Sequence, residues 1–101
     1  MIKHIVLWKL DESYAPAEKD AIRIAIRKKL LDLENEIGEL MHIEVYLNDQ
    51  ESSQENYDIL LDAIFNSMDD LAKYQEHPSH QKVVNYIRTL KLQRAAIDYS
   101  F

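Results

Sequence analysis

The segment Lys73-Tyr74-Gln75-Glu76-His77-Pro78-Ser79-His80 gathers the side chains best suited to moving protons. It holds a tyrosine and two of the four histidines, and a third, His4, stands near the start of the chain. A neutral imidazole at His80 can take a proton from an activated carbon or a phenol, while the Tyr74 hydroxyl polarises a carbonyl oxygen. Pro78 lacks an N–H and biases His77 away from the α region, so a helix should end just ahead of it. Ser79 then occupies an N-cap position, with His80 on the first turn of a second helix. There the positive end of the helix dipole and free backbone N–H groups favour the neutral ring. The same residues have a purely architectural reading, in which the rings of His77 and His80 bond to backbone groups left free at the helix ends.

The elements that must hold this corner follow from periodicity. Ile2 to Leu10 alternates as a strand, with Ile2, His4, Val6, Trp8 and Leu10 on one face and Lys3, Ile5, Leu7 and Lys9 on the other. Both faces are largely apolar, as in a central strand covered on both sides. Pro16 opens a helix expected to run to about Ile37, with Ile22, Ile26, Leu30, Leu33 and Ile37 as its buried stripe and Gly38 as the residue after its end. Arg23, Arg27, Lys28 and Asp32 fall off that stripe and are expected in solvent. Leu40 to Asn48 reads as a second strand, and 48–56 as a polar surface loop. Tyr57 to Phe65 reads as a third strand, with Leu61 on its inward face and Asp58 and Asp62 pointing the other way. Ser67 caps a short helix to about Gln75, a second piece runs from His80 to about Leu90, and Gln93 to Phe101 closes as a strand.

The order β-α-β-β-α-β, with the last helix broken at Pro78, is the ferredoxin-like split βαβ arrangement, an α+β fold with a four-stranded antiparallel sheet. Helices cover one face of such a sheet. The other carries Ile5, Leu7, Leu60 and Ile64 among its charges, too apolar to leave in water. Two sheets packed face to face solve the problem, so a homodimer with an isologous interface is expected.

Composition narrows the function classes. The 101 residues make one domain, 1–101, and 47% hydrophobic content is enough for a core. The absence of cysteine removes thiolate chemistry and suits a reducing cytoplasm. A net charge of -6 argues against nucleic acid as a partner, and no apolar run is long enough for a membrane span. With one glycine there is no Gly-rich phosphate loop, so no nucleotide cofactor is expected, and neither haem nor flavin has a motif. His77 and His80 could suggest a metal site, but Pro78 spoils the helical alignment of the two imidazoles, and no metal is expected. His42 shares a strand face with Glu44, consistent with a surface pair.

Lys3-His4-Ile5-Val6-Leu7-Trp8-Lys9-Leu10, Asn56-Tyr57-Asp58, the Phe65-x-Ser67 step, Tyr74-x-x-His77-Pro78-x-His80 and Ile97-Asp98-Tyr99 together resemble the stress-responsive dimeric α/β-barrel (Dabb) domain family. The resemblance spans essentially the whole chain and is most specific at the His-Pro-x-His corner. It implies a ferredoxin-like domain dimerised into a barrel. The family includes heat-stable plant stress proteins and the polyketide enzyme olivetolic acid cyclase. Carried over position by position, the catalytic pair of that cyclase falls on Tyr74 and His80, and its pocket histidine on His4. The expected pocket lies between sheet and helices and is bounded by His4, Val6, Trp8, Leu61 and His77, with Trp8 large enough to fill part of it. Three functions stay open: binding of a small apolar or aromatic molecule, cofactor-independent cyclase, isomerase or lyase chemistry through Tyr74 and His80, and a purely structural dimer.

Overall fold

The computed structural model describes all 101 residues. Strand β1 (Ile2–Leu10) is followed by helix α1 (Pro16–Leu31) and a 3-10 turn (Asp32–Asn35), then β2 (His42–Leu47) and β3 (Ile59–Phe65). Helices α2 (Met68–Glu76) and α3 (Pro78–Arg88) meet at the corner, and β4 (Leu92–Ser100) ends the order. The sheet runs β2-β3-β1-β4 with every neighbouring pair antiparallel, the ferredoxin-like topology expected from the pattern.

β1 alternates between buried and half-buried residues along its whole length. Its buried row of Ile2, His4, Val6, Trp8 and Leu10 faces the helices, beside Ile59, Leu61, Ala63 and Phe65 of β3. Ile26 and Leu30 of α1, Leu33, Ile37, Leu71, Tyr74 and Val83 close over them as one core. The opposite face carries Ile5, Leu7, Leu60 and Ile64, joined through the register Ile5↔Ile97 and Lys3↔Tyr99 by the apolar row of β4. Its charges are matched within the chain. Lys3 Nζ bonds both Asp62 oxygens at 2.7 and 2.9 Å, and His42 pairs with Glu44 at 3.2 Å.

Several boundaries differ from the periodic reading. The first helix stops at Leu31, short of Ile37, and tightens into the 3-10 turn. The N–H groups of Glu36 and Ile37 both bond the Leu33 carbonyl at 3.0 Å, so the helix end is satisfied without a left-handed residue. Gly38 accordingly has no positive φ, and a side chain there would meet nothing within 4 Å. β2 begins two residues later than Leu40, and β3 at Ile59 instead of Tyr57.

Asp58 is the larger correction. It lies one residue outside the β3 ladder, so strand alternation does not govern it, and it is buried instead of facing outward with Asp62. One carboxylate oxygen accepts the Leu10 N–H at 2.7 Å, and the other accepts from Arg23 at 2.6 and 3.2 Å. Arg23, expected in solvent, is therefore drawn onto this acid, and Asp20 holds it from the far side at 2.7 Å. The group ties α1 to the end of β1.

Asp58→Ala leaves the buried Leu10 N–H without its acceptor and Arg23 with Asp20 alone, and should cost about 3 kcal/mol, read from denaturant unfolding. Gly38→Ala, at a site with ordinary φ and open space, should stabilise by about 0.5 kcal/mol in the same assay.

Candidate functional site

Ser67 Oγ accepts the Asp70 N–H at 3.1 Å and starts α2, which carries Tyr74 on its inward side. The corner follows, but its cap is not Ser79. His77 itself is the N-cap of α3, with Nδ1 accepting the Ser79 N–H at 3.0 Å and Pro78 at the first helical position. An extended residue before proline is what the pyrrolidine ring demands, and the imidazole then supplies the acceptor that a serine or aspartate normally gives. His77 is thereby committed to the corner.

Between β1, β3, β4 and α3 lies a cavity of about 410 Å³. His4, Val6, Trp8, Leu61 and His80 all line it, and Trp8 forms wall without filling the space. Val83, Val84 and Ile87 of α3 supply the opposing apolar side, and Arg88 and Arg94 stand at its edge. His77 does not line it. Tyr74 lies behind the lining, fully buried, its ring 4.4 Å from that of His80 and 6.4 Å from that of His4. Phe65 packs on the same tyrosine at 4.9 Å. The structure thus brings three of the motif side chains, His4, Tyr74 and His80, into one aromatic cluster beside a space of ligand size.

Each imidazole has one hydrogen placed by a partner. His80 Nδ1 lies 3.2 Å from the Gln75 carbonyl, and a carbonyl only accepts, so Nδ1 carries the hydrogen and Nε2 of the neutral ring keeps its lone pair. Burial lowers the His80 pKa, with a smaller contribution from the charges of His4, Arg94 and His77, against the opposing pull of the Gln75 carbonyl. The ring is therefore neutral at pH 7. His4, itself buried, sits 2.5 Å through Nδ1 from Asp98 Oδ1. A carboxylate only accepts, so His4 Nδ1 carries a hydrogen. Burial pushes the Tyr74 phenol well above its ordinary pKa, and its hydroxyl has no partner within the protein.

Asp98 is the functional candidate that pattern reading missed as a partner. It belongs to the Ile97-Asp98-Tyr99 stretch, but nothing local shows which face it takes. The register His4↔Asp98 places both on the helix side of adjacent strands. The arrangement offers a neutral imidazole at His80 lining one apolar cavity, with a buried phenol packed behind it, which suits proton transfer on a carbonyl compound.

Residues 2–101 match the model of the stress responsive A/B barrel domain, Dabb. The chain belongs to the Dabb family. Among solved structures, this Dabb protein is similar to a dimeric protein of unknown function from Bacteroides fragilis NCTC 9343, with 32% identity and a TM-score of 0.90. The match covers 99% of this chain and 95% of that one. A dimeric ferredoxin-like protein from Thermobifida fusca YX is 25% identical over 99% of this chain and 90% of its own, with a TM-score of 0.78. The hydroxynitrile lyase from Passiflora edulis shares the fold at 13% identity, covering 97% and 90% of the two chains with a TM-score of 0.73. No functionally curated protein matches the sequence significantly. No helix of this Dabb protein is long and apolar enough to cross a membrane.

Two measurements check the site. In an NMR titration the His80 ring should change charge below pH 6.5. Because the folded pKa lies under the unfolded one, the unfolded state gains the proton first, and this site should cost stability as pH falls from 6.5 towards the folded value. Tyr74→Phe removes a buried hydroxyl that has no partner, so unfolding stability should stay equal or rise. A loss near 1 kcal/mol would reveal a hydrogen bond that the site does not show.

Proposed function

We propose that this Dabb protein is a homodimer that binds a small apolar or aromatic molecule in the cavity of each subunit. The single observation carrying the binding reading is the 410 Å³ space, with nine hydrophobic residues among its fourteen lining ones, enclosed between sheet and α3. Its size falls in the range of small-molecule sites, and its few polar groups fit the usual role of fixing a ligand's orientation. A stress-associated role, as in the family's description, and a cytoplasmic setting, consistent with a chain lacking cysteine, belong to the same reading.

The dimer is supported by the uncovered sheet face. Tyr46, Ile97 and Tyr99 are 54%, 60% and 44% exposed there beside Ile5 and Leu60, and the B. fragilis and T. fusca relatives are described as dimeric. Ile5→Asp or Leu60→Asp should dissociate it in sedimentation experiments, since either buries a charge against the partner's apolar face. Dimers that persist in both variants would sink this interface.

A second reading is favoured by the neutral His80 ring next to Tyr74. In it the protein is a cofactor-independent isomerase, cyclase or lyase. His80 takes a proton from carbon through Nε2, and Tyr74, packed behind the lining against the His80 ring, positions that base. Asp98 holds the His4 ring through Nδ1.

Calorimetric titration with small aromatics such as indole and 4-butylbenzyl alcohol should show one saturable site per protomer. Val84→Trp, which fills the cavity, should abolish it. The absence of binding by the whole panel defeats the ligand reading. For the enzyme reading, NMR should detect deuterium exchange into the acidic C–H of an aryl ketone. The rate should fall on the order of 100-fold in His80→Asn, and in the parent protein it should decline only below pH 6.5. Equal exchange in parent and variant removes that reading.

A further inference from the structure

The cavity sorts its polar groups by kind. Arg88, in the last turn of α3, and Arg94, on β4, both line it and both are exposed at its edge. Neither takes part in any ion pair of the chain, although acids outnumber bases 18 to 12. Arg23, by contrast, is held by Asp20 and Asp58. Trp8 is the direct cross-strand partner of Arg94, so the indole and the guanidinium stand side by side on the helix-facing side of the sheet. Trp8 is 5% exposed, and its buried Nε1–H has no acceptor in the protein. One end of the cavity therefore presents two guanidinium groups with no acid to receive them, while the indole N–H has no accessible surface and lies packed away from the space.

The other end is different. Asp98 lies four residues along β4 from Arg94, about 13 Å at strand rise, and is occupied by His4. Its negative charge disfavours an anion there, and Nε2 of the neutral His80 ring accepts a hydrogen bond. The positive charge of Arg94 is also among the causes that hold His80 neutral.

We propose that the ligand of this cavity is an amphipathic organic carboxylate: its carboxylate is clamped by Arg88 and Arg94, and its apolar or aromatic body lies along Val83, Val84 and Ile87. This rests on the cavity being the binding site proposed above and goes further by naming the group that the ligand must carry. Guanidinium recognises a carboxylate in a planar, two-pronged geometry that lysine cannot reproduce.

The test uses three probes with one body: 4-butylbenzoate, 4-butylbenzyl alcohol and 4-butylphenyl phosphate, titrated calorimetrically into the intact protein. The benzoate should bind at least 10-fold more tightly than the alcohol. Arg94→Gln and Arg88→Gln should each weaken the benzoate about 10-fold and leave the alcohol unchanged. Equal affinity for benzoate and alcohol overturns the carboxylate proposal while the apolar cavity reading stands. Tighter binding of the phosphate ester overturns it in favour of phosphorylated ligands. If none of the three binds, the cavity reading and the carboxylate proposal fall together.

Discussion

The two-residue period of β1 is the constraint on which the rest depends. The strand lies between β3 and β4, so its odd and even positions are committed to opposite sides of the sheet. One row meets the helices and carries both the core residues and His4. The other, with Ile5 and Leu7, meets no helix. A slip of one residue would exchange the rows, turning His4 and Trp8 away from the cavity and Lys3 into the core. Core, cavity and open face are thus three consequences of one pleat, and the matched register to Leu61 and Asp98 leaves no freedom to adjust one alone.

The corner at Pro78 solves a different problem. A continuous helix through this region would present one straight ridge to the sheet. Interruption at His77 lets α2 press Tyr74 flat into the core while α3 swings out over Val83, Val84 and Ile87 to roof a space. His77 makes the break tolerable by capping the new helix with its own ring, and His80, one turn on, reaches back to the Gln75 carbonyl at the end of the old one. Two histidines thereby bind the helix ends together, and only His80 also faces the cavity. Architecture and chemistry are divided between two residues of the same type three positions apart.

Much of this was legible in residue order because its causes are local. Alternation over Ile2 to Leu10 assigned the cavity wall of His4, Val6 and Trp8, the missing N–H of Pro78 located the corner, and the spacing of Ile26, Leu30 and Leu33 gave the covering stripe. The helix end was less legible, since tight turns can satisfy carbonyls as well as a left-handed glycine can, and Gly38 fits either. What could not be read were pairings set by register. Asp58 looks like one more outward charge until the ladder is seen to begin one residue later. Asp98 meets His4 across 94 positions, and no local pattern shows which residues two distant strands will bring face to face. His77 was misplaced because imidazole is an uncommon cap, and serine at 79 offered a more familiar one.

The placement of β4 carries a consequence for how the molecule is made. Its partner β1 is the first element and β4 the last, so this pairing joins the most distant strands of the chain. During synthesis, β1, β2, β3 and the helices are all available before β4 leaves the ribosome, and until then one edge of β1 stays unpaired. The nascent chain can assemble its hydrophobic centre early, but Arg94 and Asp98 arrive only with that last strand. An intermediate lacking β4 would hold a core, an open strand edge and an incomplete cavity, making it the state most in need of protection from aggregation. The cavity is therefore completed only when β4 joins the sheet, and any molecule that filled it would favour the finished protein over that exposed precursor.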